Sequence, residues 1–321
     1  MSIFASYDQL KLWYEVTGEG APLVVLPGGP GMDLRYLGDL GGLSRSRRLH
    51  LLDARAAGRS EIPADRATVS FTEQARDLEE FRRHLGLERL DVLAHSAGCL
   101  TAQEYAARFP GRLRRLVLVT PVGRASREPA PAEIAALRAA RSAEPWYPEA
   151  AEAERLIARG DGSAELPGRL APFFWYRWTE DRRHEYRPEH ATALPWLREA
   201  FYAGSATPAT AADRHARLAG RELADTTQDE APATEQAPAP AGPTLSEPRP
   251  AVLVIAGAAD GMIGTAPARL VAGCHPGSRL ELMERSGHRP WAEEPERFRE
   301  LVTGFLDTAP AEAHVHEVIA R

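Results

Sequence analysis

Three residues of this chain could together activate a hydroxyl group: Ser96, Asp260 and His288. A serine oxygen is a weak nucleophile until a base removes its proton. Histidine can do so near neutral pH. A carboxylate fixes the imidazole tautomer and stabilises the imidazolium that forms. Each of the three follows an apolar run that reads as a buried strand: Leu90 to Leu93, Ala251 to Ala256 and Leu280 to Met283. Ala94 and Gly98 flank Ser96 at two residues on either side, and a helical pattern runs from Ala97 to Phe109. A tight strand-to-helix turn of this kind strains the serine, tolerates only small neighbours and raises Oγ above the sheet. It also aims the Ala97 N–H at the place where an oxyanion would form. A second donor is expected from Gly28 or Gly29 in the turn Pro27-Gly28-Gly29-Pro30-Gly31, which follows the early strand Leu23 to Leu26.

The elements that must position these residues follow one rhythm. Leu10 to Val16 reads as an outer strand and Leu49 to Leu52 as a buried one. Ser70 and Glu73 form a capping-box pattern, and Ala75, Leu78, Phe81 and Leu85 mark one face of a helix that stops at Gly86. The elbow strand and helix come next, then Leu116 to Val119, stopped by Pro121. Continuous apolar strands alternating with helices predict an α/β fold, a mostly parallel sheet covered by helices. Ser96, Asp260 and His288 then stand at the carboxyl edge of that sheet, where active sites gather.

The rhythm breaks after Pro121 and resumes at Ala251. Residues 1–120 and 251–308 are expected to form the core and 121–250 an inserted helical lid, with helices over Ala132 to Arg141 and Glu149 to Arg159. The insert holds Trp146, Trp175, Trp178 and Trp196, four of the six tryptophans. Phe174, Trp175 and Trp178 are expected to line a pocket for an apolar or aromatic substrate, with Glu180 as a candidate partner for a substrate amine; the same rings could instead form the lid's own small core, and Glu180 could instead be a solvated lid glutamate, the reading preferred for it. The stretch from about 203 to 250 is poor in large apolar residues and is expected to be flexible and the first site of proteolysis, and residues 309–321 a loose tail. The terminal helix is expected from Pro295, with Phe298, Leu301, Val302, Phe305 and Leu306 on one face. Asp53 and Arg55 read as supports for loops, and His95 as a packing residue.

Composition narrows the function. The 321 residues carry a formal net charge of −6, from 39 basic and 45 acidic side chains, which argues against a nucleic-acid partner. Lys11 is the sole lysine, so Schiff-base and Ser–Lys chemistry would rest on one peripheral residue. The two cysteines, Cys99 and Cys274, have no metal or redox spacing, and His314 with His316 alone makes no metal site. No metal or other cofactor is expected. The longest apolar run, Ala251 to Ala259, is far short of a membrane span, and no signal peptide is read at the start, so a cytoplasmic protein acting on a small molecule is expected. Oligomeric state is left open.

With these motifs in view, the chain resembles the α/β-hydrolases, in the proline iminopeptidase-like branch (peptidase family S33). Pro27-Gly28-Gly29-Pro30-Gly31 resembles that group's His-Gly-Gly-Pro-Gly. Asp53-Ala54-Arg55-Ala56-Ala57-Gly58-Arg59-Ser60 resembles its Asp-Gln-Arg-Gly-x-Gly-Arg-Ser. Gly287-His288 with Glu293, Glu294, Pro295 and Phe298 resembles the superfamily's histidine segment. The likeness covers residues 10–120 and 251–306. It implies a cofactor-free hydrolase with Ser96, Asp260 and His288 as triad. Pro27 stands where the branch has histidine, and Ala94-His95-Ser96-Ala97-Gly98 is closer to the Gly-His-Ser-x-Gly of esterases than to Gly-Gly-Ser-Trp-Gly. The insert also lacks an acidic cluster for a free amine. The expectation is therefore a serine hydrolase of esters, lactones or amides. The alternatives are a proline iminopeptidase-type aminopeptidase, acyl transfer or cyclisation of a natural product, and a small-molecule receptor with vestigial hydrolysis.

Overall fold

The computed structural model describes residues 2–163, 165–186, 190, 194–205, 208–219 and 249–308. Eight strands make one sheet: β1 Ser2–Ala5, β2 Lys11–Thr17, β3 Ala21–Leu26, β4 Arg47–Leu52, β5 Leu90–His95, β6 Leu113–Val119, β7 Ala251–Gly257 and β8 Arg279–Met283. Their order is β1-β2-β4-β3-β5-β6-β7-β8. β2 pairs antiparallel with both β1 and β4, and the run β4-β3-β5-β6-β7-β8 is parallel throughout. The apolar runs Val92 to Ala94 in β5, Leu116 to Val119 in β6 and Ala251 to Ala256 in β7 follow from this placement, since a central parallel strand is covered on both faces. Along β5, Val92 and Ala94 enter one core and Leu93 the other.

The first face is covered by α1 Phe71–His84, α2 Gly98–Arg108 and, later in the chain, α9 Ala266–Cys274. Ser70 caps α1, its Oγ accepting the Glu73 N–H at 3.4 Å. The reciprocal half of the capping box is not made, because Glu73 turns its carboxylate to Tyr7 and Arg76. The second face is covered by short 3₁₀ turns near Leu34–Leu37 and by α11 Pro295–Asp307, which buries Phe298, Val302 and Leu306.

Among the described residues, six α-helices stand between β6 and β7: α3 Pro131–Ala139, α4 Tyr147–Ala158, α5 Leu166–Arg169, α6 Glu180–Glu185, α7 Leu197–Tyr202 and α8 Pro208–Ala219. α10, Pro290–Glu293, lies in the last loop of the core. Within the stretch expected to be flexible from about 203, residues 208–219 form a helix. There Leu218 joins the core beside α2, and Arg214 pairs with Glu104. The remainder of that stretch, 220–248, and the tail 309–321 lie outside the described residues. Among the described residues no helix is long and apolar enough to cross a membrane.

Candidate active site

β5 ends at His95 and α2 begins at Gly98, so the chain reverses within two residues. The turn places Ser96 at φ +52°, a left-handed conformation that β-carbon-bearing residues rarely adopt. Its amide is held by the Val119 carbonyl at 2.9 Å. A β-carbon on Gly98 would stand 2.3 Å from the Pro27 carbonyl oxygen, so that position admits only glycine. The side chain of Ser96 is buried.

His288 and Asp260 come to the same edge from the ends of β8 and β7. His288 Nε2 lies 3.0 Å from Ser96 Oγ, and Nδ1 lies 2.7 Å from Asp260 Oδ2. Asp260 is fully buried, and its Oδ1 accepts the Met262 and Ile263 N–H groups at 2.9 and 3.2 Å. A carboxylate accepts only, so Nδ1 carries the imidazole proton and the Nε2 lone pair faces the serine hydroxyl. The His288 amide donates to the Phe174 carbonyl at 2.6 Å. Its loop packs without slack: a β-carbon on Gly287 would meet the Phe174 carbonyl oxygen at 2.2 Å.

The candidate oxyanion donors separate. The Ala97 and Gly29 N–H groups have no acceptor among the described residues, and Gly29 sits at φ +120°, which glycine alone adopts readily. Gly28 departs from expectation, because its N–H donates to the Tyr36 hydroxyl at 2.7 Å. That bond is the start of a chain. Tyr36 Oη lies 2.6 Å from His95 Nδ1, and His95 Nε2 lies 2.9 Å from the His288 carbonyl oxygen. The carbonyl accepts, so Nε2 of His95 holds the proton, Nδ1 accepts from Tyr36, and the phenol oxygen accepts from Gly28. Burial, aided by the neighbouring His288 ring, pushes the His95 pKa well below the usual histidine range, which keeps this ring neutral. His95 is therefore more than a packing residue: it joins the glycine loop to the His288 loop.

The supports behave as expected of them. Asp53 accepts the Leu34 N–H at 2.7 Å and the Arg59 N–H at 3.0 Å, and burial raises its pKa to about 6. Arg55 bonds Asp77 at 2.7 and 2.6 Å and Asp8 at 2.5 and 3.0 Å, away from the serine.

Of the expected pocket residues, Phe174 comes to the site, its ring centroid 6.3 Å from that of His288. Trp175 is buried, stacked beneath the guanidinium groups of Arg182 and Arg289. Trp178 is half-buried. Glu180 does not belong to the pocket: it opens the exposed helix α6, with its carboxylate 3.7 Å from Arg183 and 3.4 Å from His184. A narrow cavity does border Gly28 and Ala97, and α7 contributes Leu197 and Phe201 to it. Those two residues carry no sequence motif; only the return of α7 over the glycine loop reveals them. Among the described residues, no group of three or more His, Cys, Asp or Glu side chains could hold a metal ion.

The family described as alpha/beta hydrolase fold matches residues 21–295. The chain belongs to the α/β-hydrolase fold family. Among similar proteins is a proline iminopeptidase from Heyndrickxia coagulans, 29% identical over 108 residues, which are 34% of this chain and 38% of that one. A (lyso)-N-acylphosphatidylethanolamine lipase from Homo sapiens is 32% identical over 136 residues, 40% of each chain. The alignments thus span well under half the length of these relatives. Solved structures agree over nearly the whole chain. A hydrolase from Pseudomonas aeruginosa has a TM-score of 0.60 at 24% identity, covering 96% of this chain and 98% of its own. A meta-cleavage product hydrolase from Pseudomonas fluorescens has a TM-score of 0.63 at 18% identity, covering 95% and 97%. These likenesses carry the fold.

Proposed function

We propose that the protein is a serine hydrolase that cleaves a carboxylic ester, lactone or amide of a small molecule through an acyl-enzyme on Ser96. One observation carries the reading: His288 stands 3.0 Å from Ser96 Oγ through one ring nitrogen and 2.7 Å from Asp260 through the other. In the forward step Ser96 Oγ attacks the carbonyl carbon while its proton passes to His288 Nε2. Asp260 stabilises the imidazolium and remains ionised. The carbonyl oxygen becomes an oxyanion that accepts from the Ala97 and Gly29 N–H groups, each such donor contributing about 3–4 kcal/mol. The bond to the leaving group breaks, and His288 returns the proton to it. Water then repeats the sequence on the acyl-enzyme and frees Ser96.

Intact mass after incubation with a fluorophosphonate probe tests the reading. One adduct on the wild type and none on Ser96→Ala is expected, with p-nitrophenyl acetate or butyrate turned over by the wild type only. A folded wild type that takes no adduct would sink it. Faster cleavage of proline p-nitroanilide than of either ester would move the assignment to an aminopeptidase.

A further inference from the structure

Several buried arginines among the described residues are paired with carboxylates. Arg55 meets Asp8 and Asp77, Arg82 meets Glu79, and Arg214 meets Glu104. Arg289 breaks the pattern. It is half-buried and directly follows His288. Its guanidinium has no hydrogen bond and no ion pair among the described residues. It sits between two rings instead, with Cζ 4.8 Å from the Tyr36 centroid and 5.5 Å from the Trp175 centroid. Glu185, whose charge acts on it, gives its carboxylate to Arg182 at 2.5 and 2.6 Å. Burial lowers the Arg289 pKa. Two ring faces offset part of the cost of desolvating a cation. They leave five N–H donors without a protein oxygen among the described residues.

The position ties Arg289 to the site from both sides. Tyr36 holds the Gly28 N–H and bonds His95. Trp175 adjoins Phe174, which accepts the His288 N–H and packs its ring toward the His288 ring. A guanidinium is planar and presents a fork of N–H groups that matches the two oxygens of a carboxylate. It would repel the free ammonium of an aminopeptidase substrate.

We propose that Arg289 is the anion-recognition residue of the Ser96 site and that the substrate carries a carboxylate in its acyl or leaving part. This rests on the serine-hydrolase reading and narrows it to acidic substrates.

Two ester pairs test the idea. In the first, 4-nitrophenyl hemisuccinate is compared with 4-nitrophenyl 4-methylpentanoate, where two methyl groups replace the carboxylate oxygens. In the second, 3-carboxyphenyl acetate is compared with 3-acetylphenyl acetate. In at least one pair the wild type is expected to favour the anion by about tenfold or more in kcat/KM, the value of a charge-assisted bond. Arg289→Met is expected to erase that preference through KM while retaining the neutral-ester rate, which also reports that the variant is folded; Arg289→Lys is expected to restore part of it. Indifference of the wild type in both pairs would overturn the proposal. So would equal losses on anionic and neutral esters in Arg289→Met, which would make Arg289 a clamp between Tyr36 and Trp175. Neutral-ester turnover without charge preference leaves the hydrolase reading standing, whereas absence of both turnover and the fluorophosphonate adduct removes the two together.

Discussion

The sheet edge and the helices inserted beside it are held in different ways. At the edge, Ser96, Asp260 and His288 come from three separate strand ends, and both oxygens of Asp260 and both ring nitrogens of His288 have partners. The insert meets that edge at several places: α3 gives Arg138 to the Gly261 carbonyl at 2.8 Å and Glu133 to the Thr265 and Ala266 N–H groups, α7 brings Leu197 and Phe201, and one short stretch bonds the loops of Asp260 and His288 directly. The Phe173 carbonyl accepts the Gly261 N–H at 2.9 Å, and the Phe174 carbonyl accepts the His288 N–H at 2.6 Å. The Glu293 carboxylate takes the Gly287 N–H on the core side and the Tyr176 and Arg177 N–H groups on the insert side. The difference teaches a division of labour. Backbone reversals in the core fix Ser96, Asp260 and His288, while residues 173–177 help to fix how the insert lies against them. Changes at the edge should therefore act on kcat, and changes in this strap on KM.

The largest effect is expected from Asp260→Asn. The amide leaves the packing in place but no longer enforces the proton on Nδ1, so kcat should fall by about 10⁴-fold with KM nearly unchanged. Ester turnover beside a thermal melt checks this. A loss under about tenfold in a folded variant would mean that Asp260 is a turn residue and that the edge is less tightly coupled than its geometry implies.

Tyr36→Phe comes next. It removes the hydroxyl between the Gly28 N–H and His95 and leaves the ring. The glycine loop then loses its tether to the His288 loop, and a fall of about 10- to 100-fold in kcat is expected, smaller than direct loss of an oxyanion donor at its upper range. KM should hold. If KM rises and kcat holds, Tyr36 serves binding and the division of labour fails at this residue.

Glu293→Gln tests the strap itself. Burial raises the Glu293 pKa, against the N–H groups of Gly287, Tyr176 and Arg177 that favour the ionised form. Glutamine keeps one accepting oxygen and sets an NH₂ against the remaining donors, at a cost of about 1–2 kcal/mol. KM should rise several-fold, more than kcat falls, and trypsin should cut faster at Arg177, Arg182 or Arg183. Equal loss in both constants would place Glu293 with the edge instead.

The same contrast explains what was legible in the sequence. Steric constraints write themselves into residue type: a β-carbon at Gly98 or Gly287 would strike a carbonyl oxygen, so small residues around Ser96 and before His288 were readable. Strand order followed from continuous apolar runs, although β1 is too short to show a pattern and α9, Ala266–Cys274, is built mostly of small residues and went unread. Side-chain ties between distant loops leave no period. Nothing local says that Tyr36 takes the Gly28 N–H, that His95 carries the link onward, or that Leu197 and Phe201 return over the glycine loop. α8 was missed for a related reason: its alanine-rich sequence looks featureless until Leu218 and Arg214 find α2.

The smallest effect separates acid loss of fold from acid loss of chemistry. His275 is buried in the core with Nε2 unpartnered, and burial lowers its pKa from 6.5 to about 4. The folded chain therefore binds fewer protons than the unfolded chain between these values. Stability contributed by neutral His275 is complete above about pH 6.5, declines as pH falls toward about 4, and is lost below it. The difference is on the order of 1 kcal/mol near pH 6 and grows below. His275→Leu cannot take up the proton, so its urea midpoint should vary less with pH across this interval than that of the wild type. His275 takes no part in the proposed chemistry, so the fall of kcat in acid should not move in His275→Leu. If the two shift together, the loss of rate in acid is unfolding, and the edge is no more independent of the surrounding core than the insert is.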